Sequence, residues 1–237
     1  MKKIILIALS LVITSGGLFA ADLYNIETLS GQSKAYADSQ FEGFDSLMAQ
    51  ALNGGMGDMM NIGTIKAGVQ LSLIPFDDSG ILKNSSVSML PMPFAYGGIS
   101  LMGVTAFARA MYLPVRSKNN YPLVYGLGLA YEFDPLPLFT LAPAVTYHGT
   151  HNFNLLSIDS YGFQLQGRIN LMLITPYANV GLAYTNFQGD FTLDSGKKYE
   201  YSNTLISAAA GIKIVMFFAE ISFLPEVSYT AGASIGF

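Results

Sequence analysis

The chain has 237 residues, of which 51% are hydrophobic and only 12% charged, with a formal net charge of −4 and no cysteine. The lack of cysteine excludes disulfides, thiolate metal sites and a lipid-modified N-terminal cysteine, and the acidic balance, with no basic patch, argues against nucleic acid as a partner. The charged share is about half that of ordinary globular domains, yet past residue 21 no apolar run approaches the ~20 residues of a membrane helix.

The chain opens with a basic Met1-Lys2-Lys3 and an apolar stretch from Ile4 to Ile13. With small residues at Ser15-Gly16-Gly17 and Ala20-Ala21, residues 1–20 read as a signal peptide. Its flaw is a bulky Leu18 or Phe19 three residues before the cut. A retained anchor would need a longer apolar run.

Residues 21–60 differ from all that follows. Ser30–Asp38 and Phe41–Leu52 are predicted helices; in the second, Phe41, Phe44, Leu47, Met48, Ala51 and Leu52 fall at helical spacing. Asn53-Gly54-Gly55-Met56-Gly57 then breaks the pattern. Phe41, Phe44, Leu47 and Met48 are candidates to plug a lumen; the alternatives are a segment at the periplasmic mouth or one without fixed structure.

Over residues 61–237 the apolar period becomes two, as expected for strands that give one face to lipid. Ten strands are predicted near 62–74, 92–102, 104–114, 121–133, 137–148, 159–170, 175–187, 203–215, 217–224 and 226–237. A count of eight or twelve stays open, because 86–104 divides in more than one way. Connections alternate long and short up to the last, Leu224-Pro225-Glu226, which is also short. The long ones carry Asp77-Asp78, Arg116 to Asn120, and Asp190 to Glu200 with Lys197 and Lys198. Polar loops outside and short turns inside are the bacterial barrel pattern. The fold class is therefore an all-β transmembrane antiparallel barrel with a short helical segment. With 14 Tyr, 16 Phe and no Trp, any interfacial aromatic belt must be Tyr and Phe.

Alternation also assigns the faces. Ile65, Ala67, Val69, Leu71 and Leu73 face lipid, with Lys66, Gln70 and Ser72 inside. Tyr161, Phe163, Leu165 and Ile169 face lipid, with Gln164, Gln166, Arg168 and Asn170 inside. In the final strand Tyr229, Ile235 and Phe237 share the lipid face and end on an aromatic residue. These three form the expected membrane-insertion signal, read by the barrel-assembly machinery. The expected setting is outer-membrane lipid, with the barrel a monomer.

The inward set includes Lys66, Arg109, Glu132, Arg168, Lys213 and Glu220, with Phe107 and Met111 as same-face neighbours of Arg109. A hairpin turning at Met216-Phe217 would oppose Lys213 to Glu220, about 4.5–5.5 Å apart at Cβ. These residues are either ion pairs filling a narrow lumen or a polar pathway; small barrels are filled by side chains. Gly126 and Gly128 leave room inside the fourth strand.

His148 and His151 sit at the start of an outside loop and lack a third ligand for a metal. Ser157 and Ser160 near them carry no nucleophile motif. Met56, Met59 and Met60 read as gap-filling apolar contacts. Gly97-Gly98 and Gly126-x-Gly128 have no following helix and are not phosphate loops. No catalytic residue, metal site or cofactor is expected.

Tyr96 through Val115, Tyr125-Gly126-Leu127-Gly128-Leu129-Ala130-Tyr131, Ile174 through Gly181 and Phe223 through Gly232 together resemble a family of uncharacterised outer-membrane barrels, a domain of unknown function. That resemblance implies fold and location in the outer membrane of a diderm bacterium, and no activity. The helical segment ahead of a barrel is also similar to the long-chain fatty-acid channel, whose N-terminal hatch plugs its lumen; that channel is longer and its Asn-Pro-Ala hatch motif is absent here. The expected function is passive uptake or binding of a small, amphipathic compound. The alternative is a surface barrel whose outside loops, Phe76–Pro91 and Asp190–Ser202, bind a partner.

Overall fold

The computed structural model describes residues 21–22, 29–41, 43–60, 65–75, 88–112, 115–116, 122–153 and 156–236. The signal-peptide reading of 1–20 and the terminal Phe237 lie outside the described residues.

Two short helices, α1 (Lys34–Phe41) and α2 (Phe44–Asn53), precede ten long strands. These are β1 (Ile65–Pro75), β2 (Met89–Leu101), β3 (Val104–Tyr112), β4 (Leu123–Tyr131), β5 (Phe139–His151), β6 (Leu156–Ile169), β7 (Ile174–Thr192), β8 (Lys198–Ile214), β9 (Phe217–Leu224) and β10 (Ser228–Gly236). Each pairs antiparallel with its neighbour in the chain, β10 pairs with β1 through Tyr229↔Leu73 to Gly236↔Lys66, and the ten close into a barrel. Closure leaves no open edge, which a strand in lipid cannot tolerate. A four-residue strand, Phe133–Leu136, attaches to β5 below the ring.

The outer wall shows why this sequence belongs in a membrane. Along β7 the outward residues run Ile174, Ala178, Val180, Leu182 and Tyr184, all exposed, and then change to Gln188, Asp190 and Thr192. Across the pair on β8, Ile214, Ile212 and Ile206 give way to Thr204, Ser202, Glu200 and Lys198. Apolar residues exposed on this scale have no place in water; a lipid belt covers them. Tyr147, Tyr161 and Tyr184 stand side by side in register at its upper limit. Tyr131, Phe133 and Phe217 form a second exposed aromatic group near the opposite rim. These are the Tyr/Phe girdles.

Above that limit the β7–β8 hairpin continues as a ladder to a turn at residues 193–197. The expected loop Asp190–Glu200 is thus mostly strand. Its inward residues Phe187, Phe191 and Tyr199 stay buried, and that burial extends the hairpin beyond the membrane. The β8–β9 turn is also corrected: it falls at Val215-Met216, with Ile214 opposite Phe217. Lys213 therefore opposes Phe218, and Glu220 opposes Gly211. The slip of two residues preserves the faces, and it places Val215 at φ 56, a conformation β-branched residues rarely adopt.

Candidate functional site

Residues 29–41 and 43–60 run from above the outer mouth down the whole length of the lumen. They start at the outer rim. Gly31 donates its N–H to the Thr192 carbonyl at 2.8 Å, Asp194 donates to the Gln32 carbonyl at 3.0 Å, and the Lys34 ammonium lies over the Tyr199 and Tyr201 rings. Ala21–Asp22 pair in parallel with Val115–Arg116, in the connection after β3 on the same side. The chain therefore enters the lumen at the mouth opposite to the one where β1 begins.

In the upper half the filling is apolar. Phe41, Phe44, Leu47 and Met48, the plug candidates, are all buried in one cluster with Phe94, Met111, Phe153, Phe187, Phe191 and Tyr199. Phe41 stacks on Tyr199 with centroids 4.8 Å apart and meets Phe44 edge-on at 5.9 Å. The sole buried charge on α2, Asp45, accepts from Asn203 at 2.6 Å and Tyr201 at 3.1 Å. Because the barrel surrounds the helix, its polar side chains are buried too, Gln50 donating to Ser228 at 2.8 Å and Asn53 to Ser160 at 3.0 Å.

In the lower half Met56, Met59 and Met60 pack on Tyr96, Phe107 and Phe218, and the wall in addition grips the backbone of the segment. A helix ends with carbonyls that lack partners, and here the wall supplies them. Arg109 donates to the Leu52 carbonyl and, at 2.9 Å, to that of Gly54, while Gln164 donates to Asn53 O at 2.8 Å. A cation at this end also suits the helix dipole. Below it the chain turns through Gly55 (φ +68), and the Glu220 carboxylate accepts from Gly55 N at 3.0 Å and Gly57 N at 3.2 Å. A Cβ on Gly57 would fall 2.0 Å from the Tyr177 ring, so only glycine fits. Gln166 and Arg168 then donate to the carbonyls of Gly57 and Met60.

Asp58 is the centre of the lower zone. Its carboxylate is 2.6 Å from Lys66 Nζ and 2.9 Å from Lys213 Nζ, and it accepts from Tyr96 Oη. One carboxylate so ties the segment to β1, β2 and β8. Beneath it Arg168 pairs with Glu132. Arg109, also held by His148 Nε2 at 3.0 Å and lying 4.4 Å over Phe94, joins the two zones.

The remaining candidates are placed as follows. Gln70 is buried, facing Gly55. Asn170 lies just past the end of β6 and donates to Thr140 at 3.1 Å. Tyr229 is exposed on the lipid wall and Ile235 half-buried. The room left by Gly126 and Gly128 is taken up by His148 with Arg109 and by the Phe107 ring. His148 is not in a loop but inside β5, 1% exposed, while His151 is exposed at the strand's end. Three apart on a strand, they face opposite sides and cannot share a metal. Among the described residues no group of three His, Asp or Glu could hold one. Register sets Ser160 opposite His148, but Ser160 Oγ is bonded to Thr185 and Asn53, and His148 Nε2 to Arg109. No nucleophile–base pair results.

Sequence reasoning missed Asp58, Tyr96 and Tyr177. A signal for the first existed. The inward candidates hold four cations against two carboxylates, so an anion had to come from elsewhere, and Asp58 follows the glycine break directly.

Geometry thus defines an outer-membrane-type β-barrel whose lumen is occupied by its own N-terminal segment. No family model and no curated protein matches the chain. Among solved structures, the KdgM porin in complex with disordered oligogalacturonate is 11% identical, with 73% of this chain and 98% of that one covered at a TM-score of 0.37. The N-terminal barrel domain of Pseudomonas aeruginosa OprF is 14% identical, with 73% and 96% covered at 0.31. Ail of Yersinia pestis, bound to a heparin analogue, is 14% identical with 73% and 100% covered at 0.28. All three are outer-membrane barrels, none is a fatty-acid channel, and likeness at this level carries no argument about activity.

Proposed function

We propose that this barrel binds or passively admits a small, amphipathic compound through a lumen that its own residues 29–60 keep closed. The observation that carries this reading is the division of the lumen into an apolar outer half and an ionic inner half. An amphiphile arriving from outside would exchange its apolar part for the side chains of α1 and α2 in the outer half, while Arg109 and Glu220 keep their hold on the backbone of the inner half. The setting proposed is the outer membrane of a diderm bacterium, reached with a cleaved signal peptide. Assembly machinery would read β10 through Tyr229, Ile235 and Phe237. We take the barrel to be monomeric, free of cofactor and non-enzymatic, with lipid and not nucleic acid around it.

A second reading has an observation of its own. The β7–β8 hairpin and residues 30–34 rise together above the lipid belt, so a non-transporting surface barrel would present them to a partner. Titration of the barrel in lipid discs with a fluorescent medium-chain amphiphile separates the two. Saturable binding that unlabelled amphiphile competes away supports uptake. A folded barrel with no saturable binding leaves the surface reading.

A further inference from the structure

The four turns at the inner rim are apolar at their tips. Met102 between β2 and β3, Leu138 between β4 and β5, Met172 between β6 and β7, and Val215 between β8 and β9 are 92%, 62%, 103% and 60% exposed. Leu101, Leu136, Leu171 and Leu173 beside them are exposed as well. The same four tip residues have positive φ, at 52°, 66°, 49° and 56°. Turns of this kind favour Gly, Asn or Asp, which tolerate left-handed backbone and take up water. Met, Leu and Val there cost free energy twice, in backbone strain and in exposure. A sequence that breaks a local rule four times at one rim has a reason for it.

Height supplies the reason. From Tyr184 at the upper girdle to Met172, the outer wall stays apolar. At about 3.3 Å per residue and a tilt of about 40°, those residues span about 30 Å, against an apolar band of about 25 Å in such barrels. The turn tips continue the lipid-facing surface without a polar break on β6–β7 and β8–β9. The one exposed carboxylate among these turns, Asp134, accepts from Thr140 Oγ1 at 2.5 Å through one oxygen and suits the headgroup level of the rim. We infer that the inner rim is sunk in the periplasmic leaflet, with the occupant of these turns being phospholipid, and that the lumen's inner mouth opens at headgroup level. The inference stands on the wall and the turns, and it holds for a transporting and a closed barrel alike.

The absence of tryptophan makes single-Trp variants clean reporters. Met102→Trp, Met172→Trp, Leu165→Trp at mid-wall and Lys197→Trp at the hairpin tip are refolded into phosphatidylcholine vesicles, with and without brominated acyl chains. The expected result is blue-shifted emission at positions 102 and 172, quenched at least twofold by bromines placed near the headgroup and little by iodide. Lys197→Trp should show the reverse. Iodide access at 102 and 172 equal to that at 197, with Leu165→Trp quenched by bromolipid, overturns the inference. Protection from both quenchers also overturns it, because protein rather than lipid then covers the rim. If Leu165→Trp itself escapes bromolipid, the membrane wall is wrong and the rim with it.

Discussion

The two halves of the lumen hold the same segment by opposite means. The outer half packs side chains of α1 and α2 against Phe187, Phe191 and Tyr199; the inner half binds the main chain of residues 52–60 through Arg109, Gln164, Gln166, Arg168 and Glu220. Apolar packing is non-directional and accepts another apolar occupant of similar volume. Backbone hydrogen bonds and buried charges are directional, and a missing partner leaves an uncompensated group behind. On the function proposed above, the outer half would be the exchangeable part of the plug and the inner half its anchor.

That difference can be tested by breaking each half in turn. Asp58→Ala should cost most, about 3–5 kcal/mol, because it leaves two ammonium groups facing one another in the lumen. Urea unfolding in lipid measures it, and adding Lys66→Met should restore part of the loss. Leu52→Ala, in the apolar half, should cost about 2–5 kcal/mol, with the lower-half contacts intact. If Asp58→Ala is the milder of the two, the inner half is not the anchor. On the wall, Leu165→Arg should cost about 2–4 kcal/mol near the bilayer midplane; no loss there contradicts the facing of β6. Ser30→Cys should leave stability unchanged. Since the chain has no other thiol, an impermeant maleimide should label it on intact cells. Labelling only after permeabilisation would put the segment's start on the inner side.

The faces of the strands were legible because a period of two is local. Lys66, Arg168 and Glu220 are inward by parity alone, and parity survives the slip at Val215-Met216. Strand height was not legible. Gln188 and Asp190 read as lying beyond the strand because outward residues turn polar where the wall leaves lipid, although the ladder beneath them continues. Plug direction was hidden too: nothing near Ser30 and Gly31 announces that they will meet Thr192 from outside, a contact set by a hairpin more than 160 residues away. Asp58 escaped because its partners come from three strands, a convergence that only closure of the ring creates.

The most direct test of the account is single-channel conductance of the refolded barrel in a planar bilayer, beside a form lacking residues 29–60. Silence is expected from the complete barrel and steady conductance from the shortened one. Equal silence from both, with the shortened barrel folded, would contradict it, because the lumen would then be closed by its wall and not by the segment inside it.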